Sequence, residues 1–340
     1  MDQLFLNVLF LTSGTKTPSS RFRVQQYLKY LPNRQIRYRH SSSVPDRHYY
    51  ESFLSTFLKV IKRVPDILTS PFFNCVHIQK DLIMELPPVI ELTISKINHN
   101  MIFDFDDAIF LHAPKKTKHL LRMARLVTAG NSYLAEYAIK YNPNTVIIPT
   151  VVDTSIYLPR KHKETNTQVL GWIGTKSNLK YVSEIEEPLN IIYKQNKFKL
   201  LIVSDSKASP FSKNEFPIEL IKWSDREETE MIHKFDIGIM PLSIGEREKG
   251  KCGLKILQYE ACGIPSVSTK IGVNNEIIKE GYNGFLATTK NDWVDKLIML
   301  IKDPDMRHKI GSNARMDVEA RYSVNTQLDN FVKAISDTSK

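Results

Sequence analysis

The segments "FDIGIMPL", Phe235 to Leu242, and "GKCGLKILQYEACGIPSV", Gly250 to Val267, decide the fold class of this chain. The first reads as a short apolar strand running into a charged loop, Ser243 to Lys251. The second opens a helix at Gly253 and stops it at Gly263-Ile264-Pro265, and a further apolar strand follows from Pro265 to Ser268. Strand, helix, strand in that order is the repeating unit of a parallel sheet, because parallel neighbours need a crossover that is usually a helix.

The same alternation extends in both directions. In the first half, Leu4 to Leu11, Cys75 to Ile78, Met101 to Phe105, Leu126 to Ala129 and Val146 to Pro149 read as strands. Between them run amphipathic stretches, Arg21 to Leu31, Tyr50 to Val64 and Tyr133 to Tyr141. In the second half the strands are Val169 to Ile173, Lys199 to Val203, Ile237 to Met240 and Pro265 to Ser268. Short apolar strands alternating with helices predict α/β architecture with parallel sheets covered on both faces. The polar, prolyl stretch Asp153 to Gln168 separates two such series, as 340 residues would suggest. The expected division is 1–155, 156–322 and a last helix, 323–340, that crosses back to the first domain. Two doubly wound domains facing one another hold a ligand at the carboxyl ends of their strands.

Composition narrows the function. Apolar residues at 42% and charged residues at 25% describe an ordinary folded chain, neither collagen-like nor disordered. Leu4 to Leu11 follows Asp2 rather than basic residues and is too short to span a bilayer, so it reads as a buried strand and not a signal peptide. Three cysteines without metal-ligand spacing point to a reducing cytoplasm. Residues 1–160 hold 20 Lys+Arg against 12 Asp+Glu, a net +8 of the total +10, so the first half has an anionic partner or simply a solvated basic surface. Nucleic acid is disfavoured, since zinc-finger spacing, a helix-turn-helix signature and an RNP-type strand are all missing from the sequence.

The turns after strands carry the chemistry. "TSGTKTPSSRFR", Thr12 to Arg23, is a small-residue loop feeding a helix, with Gly14 permitting close backbone approach and Arg21 and Arg23 suited to phosphate. Ordinary loop and cap chemistry accounts for the same residues. "GWIGTKSNLK", Gly171 to Lys180, repeats the idea with Gly174, Lys176 and Lys180, but it lacks the third glycine of a dinucleotide fingerprint, which argues against a nicotinamide oxidoreductase. At the helix opened by Gly253 and Leu254, free N–H groups face a phosphate and Lys255 adds a point charge in the first turn. Glu260, seven residues beyond Gly253 and nearly on the same face, suits a ribose diol; a plain solvated helix face is the competing reading.

These segments resemble the group 1 (family 4) glycosyltransferases, whose architecture is GT-B, two facing Rossmann-like domains. The match runs in order through "SSRFRVQQYL", "FDFDDAIF", "AGNSYLAEYA", "VIIPTVVDTSIY", "GWIGTKSNLKYV", "FDIGIMPL", "GKCGLKILQYEACGIPSV" and "IGVNNEIIKEGYNGFLA", nearly the whole chain. The resemblance implies a carboxy-terminal domain that binds a nucleoside diphosphate sugar, with Glu260 as the ribose-binding glutamate, and an amino-terminal domain that binds the acceptor. It further implies retention of anomeric configuration, with the departing phosphate helping to take the acceptor proton. Fixed cations stabilise charge that builds on a leaving diphosphate. Lys176, Lys180, Lys255 and the N–H groups at Gly253 serve that role, with Arg21 from the other domain, and no metal cofactor is then required.

The family usually places a second glutamate where this chain has Cys252, eight positions before Glu260. Its absence leaves the donor-sugar contact open; Cys252 reads as a small packing thiol within the donor-binding segment, and Glu246 or Glu248 in the loop upstream could supply the missing carboxylate. Asp104-Phe105-Asp106 spells the D-x-D of metal-dependent transferases, a metal site being the alternative reading, but it ends a strand of the first domain where the resembling family places an acceptor-side polar residue; the resemblance thus implies that Asp106 and Asp107 contact acceptor hydroxyls or the sugar, with Asp104 structural. Tyr49 to Val64 sets Phe53, Phe57, Val60 and Val64 at helical spacing beside Lys59, Lys62 and Arg63. Such a stripe packs on its own sheet or lies on an anionic leaflet. The expected function is a hexosyltransferase of surface-glycan assembly, cytoplasmic and peripheral on the inner membrane face, acting on a glycan or lipid-linked acceptor. A nucleotide-sugar epimerase and a catalytically impaired nucleotide-sugar-binding protein are the alternatives.

Overall fold

A computed structural model describes residues 5–43, 53–84, 86–161, 167–206 and 208–340. The chain forms two compact units. Unit 1 comprises Met1–Val151, Gly250–Cys252 and Val324–Lys340; unit 2 comprises Val152–Lys249 and Gly253–Ser323.

Unit 1 holds six strands: β1 (Leu6–Thr12), β2 (Ile36–Ser42), β3 (Cys75–Gln79), β4 (Met101–Phe105), β5 (Leu126–Ala129) and β6 (Thr145–Ile147). They pair in the order β2-β1-β3-β4-β5-β6, all parallel. Alternate residues of β1 point to opposite faces and both faces are covered, so the strand is a continuous apolar run. Leu9 and Leu11 join Val76, Ile78, Phe103 and Phe105 in one core, under the helices that follow β3, β4 and β5. Val8 and Phe10 join a second core with Val24, Tyr27 and the carboxy-terminal helix Val324–Thr338. That helix inserts Phe331, which stacks on Tyr27 at 4.2 Å and lies 5.7 Å from the buried His77 ring.

Unit 2 also holds six strands: β7 (Gln168–Ile173), β8 (Phe198–Ser204), β9 (Ile218–Lys222), β10 (Ile237–Met240), β11 (Ser266–Thr269) and β12 (Phe285–Ala287). They pair as β12-β11-β10-β7-β8-β9, again all parallel. The two segments that decided the fold class supply β10, the helix Leu254–Ala261 and β11.

The α/β class and its two parallel sheets are as the sequence predicts, with three additions. Strands β2, β9 and β12 carry no strand signal in the sequence reading, and each is an edge strand. The first strand begins at Leu6, its expected start at Leu4 lying outside the described residues. Residues 162–166 of the expected linker, and Tyr49 to Ser52 of the expected amphipathic helix, also lie outside them. The described helix runs Phe53–Thr69 and contains Pro65. Of the two readings of its stripe, packing on its own sheet holds for Val60 but not for Phe57 and Val64, which are exposed, whereas Lys59, Arg63 and Asp66 are buried.

Candidate functional site

In unit 2 the turn after β7 and the start of the helix Leu254–Ala261 converge. Gly253 takes φ 67°, the left-handed region that a side chain disfavours, and so turns the chain sharply into the helix. Leu254 and Lys255 follow in the first turn, where N–H groups lack partners along the helix. The Lys255 ammonium lies 5.4 Å from the Trp172 ring centroid. Its stem passes so close to Gly174 that a Cβ there would lie 2.8 Å from Lys255 Cε and 2.7 Å from Trp172 Cη2. Lys176 follows in the same turn, exposed, with its backbone N–H donating to Asp205 at 2.6 Å. Gly174, Lys176, Gly253, Leu254 and Lys255 thus share the carboxyl edge of the sheet, where a helix N-terminus and lysines suit a diphosphate.

Lys180 lies a little further on, 4.9 Å over the Tyr181 ring. Tyr181 is buried and donates its hydroxyl to Glu248 in a short hydrogen bond. Of the two loop glutamates, Glu248 is therefore turned in towards the helix after β7, while Glu246 is exposed and pairs with Lys249. Burial, then the Glu248 hydrogen bond, pushes the Tyr181 hydroxyl above its ordinary range.

The structure corrects the expectation that Glu260 offers a carboxylate to a ligand. Glu260 is 0% exposed. Its Oε1 accepts from Asn283 Nδ2 at 3.0 Å, and Oε2 has no partner among the described residues. Asn283 also donates to Ile277 O and to Asp317, which is paired in turn with Lys279 at 2.7 Å and with Arg321. Burial, with Asp317 adding to it, raises the Glu260 carboxyl well above the ordinary glutamate range. Seven residues set Glu260 about 10 Å along the helix axis from Gly253, where the Asn283 amide, rather than open space, meets its carboxyl.

In unit 1 the acidic motif divides its roles. Asp104 accepts from Arg23 Nε at 3.1 Å and from Thr128 at 2.6 Å; the pair is almost fully buried and Asp104 is structural. Asp106 pairs with Lys80 at 3.0 Å, and Asp107 lies 4.0 Å from the same ammonium. Burial alone would raise the Asp106 carboxyl, but Lys80 and Arg23 outweigh it and hold the group below its ordinary range. Burial would likewise lower the Lys80 ammonium, yet Asp106 and Asp107 raise it. Asp104 and Asp106 thus turn to different cations, and among the described residues no group of three or more His, Cys, Asp or Glu side chains comes together as a ligand set.

Lys80 escaped the sequence reading. It follows β3 directly and adopts φ 57°, a conformation that strains a residue with a Cβ. Its signal was positional: it is the first residue beyond a strand of a doubly wound sheet. Gln79 beside it accepts from Ser13 at 3.3 Å and Ser20 at 3.2 Å. Gly14 lies in the loop these serines flank, its carbonyl accepting from Thr12 at 3.3 Å, and Arg21 lies over the Phe22 ring at 5.1 Å. Cys252 belongs to unit 1. Its thiol donates to Asp106 O at 3.3 Å and receives Asn131 Nδ2 at 3.6 Å, and burial, then Asp106, pushes it up to about 12.

Comparison with known proteins places these elements. Residues 167–303 match the family model described as Glycosyl transferases group 1. A stretch of 77 residues is 32% identical to N-acetyl-alpha-D-glucosaminyl L-malate synthase of Bacillus anthracis, covering 22% of this chain and 20% of that protein. The chain thus spans about a fifth of the length of this curated relative. Among solved structures, Anabaena Alr3699/HepE in complex with UDP and glucose is similar over 98% of this chain and 100% of its own, with TM-score 0.68 and 16% identity. The catalytic domain of starch synthase IV from Arabidopsis thaliana, bound to ADP and acarbose, aligns over 99% and 100% with TM-score 0.70 and 12% identity. The fold is that of these glycosyltransferases.

Proposed function

We propose that the protein, whose residues 167–303 match the model of group 1 glycosyl transferases, moves a hexose-type sugar from a nucleoside diphosphate sugar to a membrane-linked or polysaccharide acceptor of surface-glycan assembly. The observation that carries this reading is the convergence of Gly174, Lys176, Gly253 and Lys255 at one edge of the unit 2 sheet. In the transfer, the bond from the anomeric carbon to the diphosphate oxygen breaks and a bond from that carbon to an acceptor hydroxyl oxygen forms. Negative charge builds on the departing diphosphate, where Lys255, Lys176 and the N–H groups of Leu254 and Lys255 stabilise it without reorganising. The acceptor proton passes to a departing phosphate oxygen, and attack from the same face retains the anomeric configuration.

On the acceptor side, Asp106 and Asp107 accept from sugar hydroxyls, and Lys80, 3.0 Å from Asp106, helps to keep that carboxylate charged. The ribose contact once expected of Glu260 has no exposed carboxylate to make it. UDP bound to the Anabaena protein and ADP bound to the plant domain support a nucleoside diphosphate as ligand.

The test is a thermal-shift and calorimetric screen of UDP, ADP and GDP, followed by incubation of the matching labelled nucleotide sugar with a membrane lipid extract. One nucleoside diphosphate should stabilise the protein and label should move into a lipid or glycan product. No stabilisation by any of the three would overturn the reading; an epimerised nucleotide sugar formed without acceptor would make the protein an epimerase instead.

A further inference from the structure

The helix Phe53–Thr69 is built inside out. Its inward face carries buried charge beside Val60 and Ile67: Arg63 is completely buried, donating to Thr12 O at 2.8 Å, Ser43 Oγ at 2.9 Å and Asp66 at 3.0 Å. These contacts pin the helix to the carboxyl ends of β1 and β2. Its outward face is apolar, with Leu54, Phe57, Ile61, Val64 and Leu68 all exposed, and the stripe continues to Phe72 at 79% exposure. From Leu54 to Leu68 it is about 21 Å long at the rise of an α-helix. A helix at a water boundary normally shows the reverse pattern, and a contiguous apolar stripe marks an interaction surface.

Its surroundings identify the partner. The helix Val89–Ile97 packs between Phe53–Thr69 and the helix Pro114–Met123, so the three form one layer over the unit 1 sheet. Val89 and Ile97 add exposed apolar surface. The third helix adds cations: Lys115 and Arg122 are exposed, and the sequence from Ala108 to Ala135 contains no Asp or Glu. Acids on the layer are used internally. Asp66 and Glu91 are buried and Asp81 pairs with Lys116 at 3.0 Å. A long apolar stripe beside an acid-free basic helix matches a bilayer, whose acyl boundary takes the stripe while anionic headgroups take the lysines and arginine. A second copy fits less well, because it carries the same surplus of positive charge.

We propose that the layer of helices Phe53–Thr69, Val89–Ile97 and Pro114–Met123 is a docking face for an anionic bilayer, with Phe57, Leu68 and Phe72 entering the interface. Among the described residues no helix is long and apolar enough to cross a membrane, so the contact is interfacial. This deepens the proposed function, from which it takes the membrane-linked acceptor. Its test needs no substrate.

The protein is floated with vesicles of equal parts phosphatidylcholine and phosphatidylglycerol, and with vesicles of phosphatidylcholine alone. Wild type should bind the mixed vesicles, lose at least tenfold in 0.5 M salt or on pure phosphatidylcholine, as about 4 Å of screening length implies, and lose at least tenfold in the pair Phe57→Ser with Leu68→Ser. The pair Lys115→Glu with Arg122→Glu, on a separate helix, should lose as much. Calorimetry with whichever of UDP, ADP or GDP binds wild type should be unchanged in all, which separates failure of this surface from failure of the transferase reading. Absence of wild-type binding, or serine and glutamate variants that bind like wild type, would overturn the proposal. A wild-type dimer that ignores vesicles and becomes monomeric in the serine variant would assign the face to a second copy instead.

Discussion

Replacing Gly174 by alanine tests the donor site through geometry rather than through removal of a charge. The added methyl would lie 2.7 Å and 2.8 Å from Trp172 ring carbons and 2.8 Å from Lys255 Cε. Carbon atoms sit comfortably at about 3.5–4.0 Å, so something must move by close to 1 Å. Trp172 is buried in the unit 2 core and cannot retreat without opening it, whereas the Lys255 stem is flexible. The lysine should therefore yield, carrying its ammonium away from the diphosphate position. Loss of one charge-assisted hydrogen bond is worth about 1.5–3 kcal/mol, roughly a 10- to 150-fold rise in Kd for UDP or whichever nucleoside diphosphate binds. Overpacking should cost about 1–3 kcal/mol of stability, with the fold retained. Isothermal titration of wild type, Gly174→Ala, Lys255→Met and the double variant completes the cycle. If both changes act through one ammonium, the double variant binds no more weakly than Lys255→Met alone. A folded Gly174→Ala that binds like wild type, or losses that simply add, would refute the argument.

Glu260 gives a pH signature of opposite kind. Burial and then Asp317 raise its carboxyl, so the folded protein keeps a proton that the unfolded chain releases above the ordinary glutamate pKa; with fewer protons bound unfolded than folded, this group makes stability fall as pH rises through that window. Glu260→Gln removes the dependence, and its melting temperature relative to wild type should climb between about pH 5 and pH 8; a constant difference would show that the carboxyl is charged in the fold. At the base of the unit 1 loop, Arg23→Ala strands the buried Asp104 without its cation and should cost about 3–5 kcal/mol in urea unfolding. A loss below about 1 kcal/mol would mean the pair is solvated.

Most strands of these units are legible in the sequence because the central ones are buried on both faces and so read as plain apolar runs, while their order in each sheet is not. Strands β2, β9 and β12 are not legible either. "IRYRHSS" in β2 has the charged, half-exposed character of an edge, which discourages pairing with other chains and also erases the apolar signal. The placement of Lys255, Lys176 and Gly174 at a helix start and a strand end is legible because such positions are fixed locally. The orientations of Glu260 and of the Phe53–Thr69 helix are not. Periodicity tells which residues share a face, but which face turns inward depends on what the rest of the fold offers it. For Glu260 that was Asn283 and Asp317, 23 and 57 residues away, and for Arg63 it was Thr12 and Ser43. Local signals along the chain set the class of fold, the alternation of strands and helices, and the lysine-bearing helix start; long-range packing set which polar side chains turn inward, because the groups that satisfy a buried polar atom come from distant parts of the chain.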